Sequence, residues 1–235
     1  MNIFNQPLFK RVYQKITGNY YNVSYSQTGE DLLIEFLIHA KQIKKFNYLD
    51  IGANHPVKLN NTYKFYETGY RGICIEPDPG LFKILSAKRK GDVCLNVGIA
   101  GKASGYTDFY IMSNPLLNTF SQEEAKNLEK DHHCKIDKIV QIPLLTVEDI
   151  IRDHFSGQTP VFINLDAEGL DEEILTNFPF HKYRPSIFCV ETVHFTIDAS
   201  SEKRQELMNL MKTNNYVSFA DTYVNTIFID AMPQL

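Results

Sequence analysis

Five stretches of the chain repeat one pattern: a short, continuously apolar, β-rich run that stops on or next to a polar residue. They are NYLDIG (47–52), GICIEP (72–77), VCLNVGIA (93–100), VFINLD (161–166) and IFCVET (187–192). A strand with one wet face alternates polar and apolar residues. A strand that is apolar throughout is buried on both faces, as in a parallel sheet. Between the runs, residues 60–69, 79–89, 146–155, 170–177 and 201–213 read as helices, and the segment from Ser26 carries Leu32, Leu33, Phe36 and Leu37 at helical spacing. This alternation predicts a doubly wound, mostly parallel α/β sheet. Near the C-terminus YVSFA (216–220) and TIFID (226–230) are only five residues apart, too few for a parallel crossover, which predicts an antiparallel hairpin at one edge. An insertion over about 101–145 holds FYIM and KIVQIPL as extra strands, with the polar segment SQEEAKNLEKDHH between them.

With 235 residues and 43% hydrophobic content, one domain over 26–235 can bury a sizeable core without disulfide or metal. The four cysteines, Cys74, Cys94, Cys134 and Cys189, form no CxxC pair and read as free thiols of a reducing cytoplasm. A net charge of −4 argues against a general nucleic-acid binder and favours small-molecule chemistry. No signal peptide or membrane span is expected, since the longest apolar stretch, Leu32 to Ile38, is broken by Glu35. Residues 1–25 stand apart as a basic aromatic arm: Lys10, Arg11 and Lys15, six aromatics and no acid. Three readings of the arm stay open: peripheral contact with a membrane lipid carrier, a swapped contact in a homo-oligomer, or a lid.

In open α/β sheets, ligands bind outside the carboxyl ends of the strands. Asp50, Glu76, Asn96, Asp166 and Glu191 all fall at or next to such ends. Gly52, in Asp50-Ile51-Gly52-Ala53-Asn54, lets the backbone turn tightly and approach a ligand. A carboxylate at the end of the second strand, Glu76, can accept two hydrogen bonds from a ribose diol, each worth roughly 1.5–3 kcal/mol. Together these residues predict a nucleoside site. The turn reads Gly52-Ala-Asn-His-Pro-Val rather than GxGxxG, and the chain has no GxxxxGK[ST] loop, so a pyrophosphate has no glycine-rich cradle. A ligand with a ribose and no phosphate fits better, of which S-adenosylmethionine is the common one. Two other classes stay open: a non-catalytic nucleoside-binding α/β protein, and an NAD-dependent oxidoreductase with a degenerate loop.

The segments SQTGED (26–31), DIGANHP (50–56), NNTYKFYETGYRGICIEPDP (60–79), LNVGIAG (95–101), LLTVEDI (144–150) and INLDAEGLDEEIL (163–175) resemble, in order and spacing, the motifs of the FkbM family of S-adenosylmethionine-dependent methyltransferases. The resemblance runs from about residue 24 to the C-terminal hairpin. It implies a Rossmann-like, seven-stranded class I methyltransferase sheet and transfer of methyl to a hydroxyl oxygen, often of a sugar, glycolipid or polyketide. By the same resemblance Gln27, Glu30, Asp50, Gly52, Ala53 and Asn54 fall on the cofactor side, Glu76 and Pro77 at the ribose, and Asn96 and Val97 at the adenine. Asp166, Glu168 and Gly169 match the family's D-x-E-G beside the transferred methyl. The family more often has a lysine at Asn164 and an acid at Leu170, departures that bear on the acceptor rather than on the cofactor.

For catalysis the expected residues are Asp166, Glu168 and His194, with Asp166 or His194 as the base. A divalent metal on Asp166 and Glu191 is the alternative way to acidify a hydroxyl. His55, Asn61, Thr62, Asn118 and Thr119 are expected at the acceptor, a small molecule or surface glycan. Structural roles compete: Glu30 and Asp31 as first-turn acids, Asn96 as a turn residue, His55 as a support for its own loop. Asp131-His132-His133-Cys134 reads as a solvated stretch rather than a metal site.

Overall fold

A computed structural model describes residue 16 and residues 22–102, 105–130, 134–167, 169–193 and 203–232. The first helix whose bounds lie among the described residues is α1 (Glu30–Ala40). The alternation follows as β1 (Asn47–Ile51), α2 (Tyr63–Glu67), β2 (Arg71–Ile75), α3 (Pro79–Lys88) and β3 (Val93–Leu95). The insertion contributes β4 (Gly98–Ile99), β5 (Tyr106–Met112), a 3₁₀ turn (Pro115–Leu117), α4 (Gln122–Lys130) and β6 (Ile136–Leu145). The chain returns through α5 (Val147–His154), β7 (Phe162–Leu165), α6 (Asp171–Asn177), β8 (Ile187–Glu191) and α7 (Gln205–Thr213). It closes on β9 (Tyr216–Asp221) and β10 (Asn225–Asp230).

Seven strands form one sheet in the order β3-β2-β1-β7-β8-β10-β9. All neighbours from β3 to β8 run parallel, whereas β10 is antiparallel to both β8 and β9, so the predicted hairpin is the sheet's edge. Successive residues feed opposite cores. Leu49, Ile51, Ile163, Leu165, Phe188 and Val190 pack under the face carrying α5, α6 and α7. Tyr48, Cys74, Phe162, Ile187 and Cys189 pack under α1, α2 and α3 with Ile34, Leu37, Phe65 and Leu85. Each fully buried Leu, Ile or Phe contributes about 1.5–3 kcal/mol, which is why strands apolar on both sides settle in the middle of the sheet.

Helix starts follow local chemistry. The Asp78 side chain accepts from Gly80 N (2.6 Å) and Leu81 N (3.3 Å), with Pro79 opening α3. At α5, Thr146 Oγ1 accepts from Asp149 N while Asp149 Oδ2 accepts from Thr146 N, at 3.0 and 3.1 Å. The LLTVEDI segment is therefore a capping box.

One expectation is corrected. Residues 93–100 do not form a single strand: β3 stops at Leu95, and β4 belongs to a separate three-stranded sheet, β4-β6-β5. Asn96 causes the break, because its Nδ2 donates to the carbonyls of Glu76 and Pro77, both at 2.8 Å, and draws the chain out of the large sheet. A Cβ on Gly98 would press into Phe120 and Leu144, so the small sheet packs directly on that backbone.

Candidate active site

From β1 the chain winds outward through β2 and β3, then returns to the other side of β1 through β7 and β8, which puts the switch point between β1 and β7. Gly52 stands at that point. Its N–H and that of Ala53 donate to the Ile75 carbonyl at 3.1 and 2.9 Å, and Asp166 N donates to the Ile51 carbonyl at 3.1 Å. At φ 77° a Cβ on Gly52 would overlap the Asp166 carbonyl oxygen. Only glycine lets the two strand ends lie this close.

A pocket of about 410 Å³, counting space open to solvent, lies above this crossing. Of the predicted residues, Gly52, Asn54, Glu76, Pro77, Val97, Asn118 and Asp166 line it. Its apolar wall was not foreseen: Phe109, Pro115 and Phe120 come from the insertion, with Phe109 and Phe120 paired at 4.6 Å between ring centroids. The signal available was the FYIM strand, which alternates on a sheet whose location the sequence does not give. Asn118 fastens this wall to the start of α3: its Oδ1 accepts from Met112 N (2.8 Å) and its Nδ2 donates to Asp78 Oδ2 (3.1 Å).

Glu76 is buried on the floor. Its Oε2 accepts from Asn54 N at 2.7 Å and its Oε1 from Asp78 N at 2.8 Å. Burial pushes its carboxyl up to about 8, against those two hydrogen bonds and with the help of the nearby Asp78 and Asp50 charges.

Asp50 lies outside the pocket lining, one layer deeper. It is wholly buried, accepting from Thr62 Oγ1 (2.6 Å), Asn164 Nδ2 (2.8 Å) and Asn60 Nδ2 (3.4 Å). Burial raises its carboxyl, while the Thr62 hydroxyl and the Arg89 charge pull the other way. Sequence reasoning missed Asn60 and Arg89, because an arginine in SAKRKGD looks like any solvated helix end.

Asp166 and Glu191 stand on the same face at the ends of β7 and β8, two residues beyond Asn164 and Cys189, which pair in register. Both carboxyls are pushed upward by burial. Asp171 and Asp50 add to the effect on Asp166, and Asp166 and Asp171 add to that on Glu191. Among the described residues neither carboxylate accepts a hydrogen bond. The nearby cation, Arg204, lies 3.5 Å from Asp171 and 3.6 Å from Glu172. Among the described residues no group of three or more His, Cys, Asp and Glu side chains is arranged to hold a metal ion.

Several of the remaining predicted residues are used inside the protein. Glu30 ties α1 to the hairpin, accepting from Thr28, Thr222 Oγ1 (2.7 Å) and Asn225 Nδ2 (2.9 Å). Burial alone would raise its carboxyl; those bonds hold it below the usual range. Gln27 is exposed on the segment before α1, and Ala53 is buried with its carbonyl held by Asn60 at 2.9 Å. His55 Nδ1 accepts from Val57 N and Lys58 N (3.1 and 2.9 Å), so it supports its own turn. Thr62 supports Asp50, and Asn61 Nδ2 donates to Asn164 Oδ1 at 2.8 Å, so neither lines the pocket where an acceptor contact was expected. Thr119 Oγ1 donates to Glu124 Oε2 at 2.6 Å, and Asn96 holds the 76–77 turn. Glu168, His194 and the run Asp131, His132, His133 lie outside the described residues, as does the arm through residue 21 apart from Ile16. No helix among the described residues is long and apolar enough to cross a membrane.

Fold and pocket together define a doubly wound α/β protein with a pocket at its switch point and an unpaired carboxylate beside it. Residues 50–218 match the family model described as the methyltransferase FkbM domain, and the chain belongs to that family of methyltransferases. No curated protein matches it. Similar solved structures include a TehB-like SAM-dependent methyltransferase from Corynebacterium glutamicum (9% identity, TM-score 0.42, covering 95% of this chain and 96% of that one). Another is the glycopeptide N-methyltransferase MtfA complexed with S-adenosyl-L-methionine (9%, 0.43, 98% and 99%). A third is the O-methyltransferase from Bacillus cereus in complex with SAH (12%, 0.40, 94% and 88%).

Proposed function

We propose that the protein transfers the methyl of S-adenosylmethionine to a hydroxyl oxygen of a sugar, a surface glycan or a related metabolite. One observation carries the reading: Asp166, whose carboxylate accepts no hydrogen bond among the described residues, stands in the wall of the same pocket whose floor is Gly52 and Glu76. The pocket suits the cofactor. Glu76 offers acceptor oxygens to a ribose diol, and the wall of Val97, Phe109 and Phe120 offers apolar surface to a purine. A pyrophosphate has less to hold it, since Pro56 lacks an N–H where a dinucleotide turn would supply one.

When bound, S-adenosylmethionine supplies an electrophilic methyl. Glu76 and the Gly52–Asn54 turn fix the ribose end, so that the reacting centre is held rather than searched for; such positioning can amount to effective molarities of roughly 10⁵–10⁸ M. Asp166 accepts the hydroxyl proton, and its upward-shifted carboxyl brings it nearer to an alcohol in basicity than an ordinary aspartate, worth about 10²–10⁴ in rate. Burial and the charges of Asp171 and Asp50 keep that shift in place.

Calorimetry with S-adenosylmethionine, S-adenosylhomocysteine and NAD tests the cofactor: binding of the first two and not the third is expected, and absence of S-adenosylmethionine binding refutes the reading. Mass spectrometry of cell-surface glycans with and without the protein then looks for the loss of one methyl.

A further inference from the structure

We propose that Arg89, buried beneath the loop at the far end of α3, is the positioning residue of the cofactor loop and holds residues 52–62 in the shape the pocket needs. The loop carries three residues in the left-handed region: Gly52 (φ 77°), Asn54 (φ 48°) and Leu59 (φ 53°). A leucine at such a φ is strained, and this one is half exposed, so its own packing does not account for it. Such conformations persist where the surroundings over-determine them.

Arg89 supplies the determination. Its side chain is fully buried, with Nε on Asp92 Oδ2 at 2.8 Å. A buried cation needing only a counter-charge would stop there. Instead Nη1 reaches the Pro56 carbonyl and Asn60 Oδ1, both at 3.3 Å, and Nη2 reaches Thr62 Oγ1 at 2.8 Å and Tyr48 Oη at 3.1 Å. Asn60 extends the hold, donating to the Ala53 carbonyl at 2.9 Å and accepting from Thr62 N and Tyr63 N at 3.0 and 2.7 Å. The loop is thus pinned at residues 53, 56, 60 and 62, on both sides of Asn54 and Leu59. Asn54 is the residue that lines the pocket and donates to Glu76. α3 therefore grips the loop at both ends, through Glu76 just before it and Arg89 just after it. Only the planar five-donor fork of arginine can serve a carboxylate, a carbonyl and three further side-chain oxygens at once.

The inference rests on reading the pocket as the S-adenosylmethionine site, and the test separates the two. Hydrogen exchange on the cofactor-free wild type comes first: the amides of Asn54, Val57 and Lys58 should already be protected, and exchange at unstructured rates that slows only when S-adenosylmethionine is added would overturn the role of Arg89. Arg89→Lys, which keeps the charge and loses the fork, should unfold cooperatively, lose protection at those amides, and bind S-adenosylmethionine at least tenfold more weakly. Leu59→Gly added to it should recover at least threefold in affinity, because glycine removes the left-handed penalty. A general loss of packing would not be rescued at a half-exposed site. Asn60→Ala should weaken binding in the same way and add little to Arg89→Lys. Wild-type affinity and loop protection in either single variant refutes the proposal. Wild type that fails to bind S-adenosylmethionine refutes the cofactor reading alone, since the exchange measurements still decide the role of Arg89.

Discussion

Asn54 gives its backbone N–H to Glu76 Oε2 at 2.7 Å, which joins the turn after β1 to the acid after β2 before any ligand arrives. The hydrogen bond competes with burial for the charge of Glu76, and burial prevails: the carboxyl sits at about 8.

That value sets two pH dependences with opposite signs. A carboxyl raised above its ordinary 4.5 contributes stability that is fully present below about pH 4.5 and is lost as pH rises through about 8. The cofactor-free protein should therefore lose stability toward alkaline pH, by on the order of a few kcal/mol for this group, and Glu76→Gln should flatten the curve of Tm against pH. Binding runs the other way, because the ribose hydroxyls need the ionised form. S-adenosylmethionine affinity should rise about tenfold per pH unit up to roughly pH 8 in wild type and stay flat and weak in Glu76→Gln, as read by calorimetry across pH 6–9.

Gly52→Ala tests the crossing of strands. The new Cβ would meet a backbone oxygen, which cannot swing aside as a side chain does, at a φ that already disfavours alanine. We expect a loss of about 1–3 kcal/mol from the strain alone, with S-adenosylmethionine affinity reduced beyond what the fall in Tm explains.

Asp166→Asn should leave S-adenosylmethionine affinity within about threefold and lower turnover by roughly 10²–10⁴. Asp171 carries a charge that raises Asp166, so Asp171→Asn should move the acid limb of the pH–rate profile to lower pH. Equal losses of binding and turnover in Asp166→Asn would contradict its role as base.

Asn118→Ala cuts the fastening between the insertion and Asp78. Leaving Met112 N and Asp78 without their partner should cost about 1–3 kcal/mol. Affinity for S-adenosylmethionine should fall while Glu76 and its bond to Asn54 are untouched, measurable as a weaker Kd with the same pH dependence as wild type.

Much of the architecture was legible because it rests on local rules. A run such as IFCVET is apolar at every position up to its polar end, and only a strand covered on both faces has that requirement. The hairpin followed from five residues between strands. Glu76 and Gly52 were legible because strand ends in parallel sheets are where ligands bind. What stayed hidden depends on contacts distant in sequence. Nothing local distinguishes Asn96 from a strand residue until its amide finds the carbonyls of Glu76 and Pro77. Thr62 and Asn61 were expected at the acceptor because the sequence does not show that Asp50 and Asn164 lie beneath them. Arg89 was invisible for the same reason: its partners lie at 48, 56, 60, 62 and 92, and only the folded chain gathers them.

The departure of the chain after Leu95 has an evolutionary consequence. Because β4, β5 and β6 leave the large sheet, Phe109, Pro115 and Phe120 can be lengthened, shortened or replaced without disturbing a residue of the two principal cores. One wall of the pocket is therefore free to drift while the opposite one, built on Gly52 and Glu76, is fixed by backbone geometry. A lineage with this plan can change what it accommodates beside an unaltered cofactor floor, and comparison of related chains should show variation concentrated between 101 and 145.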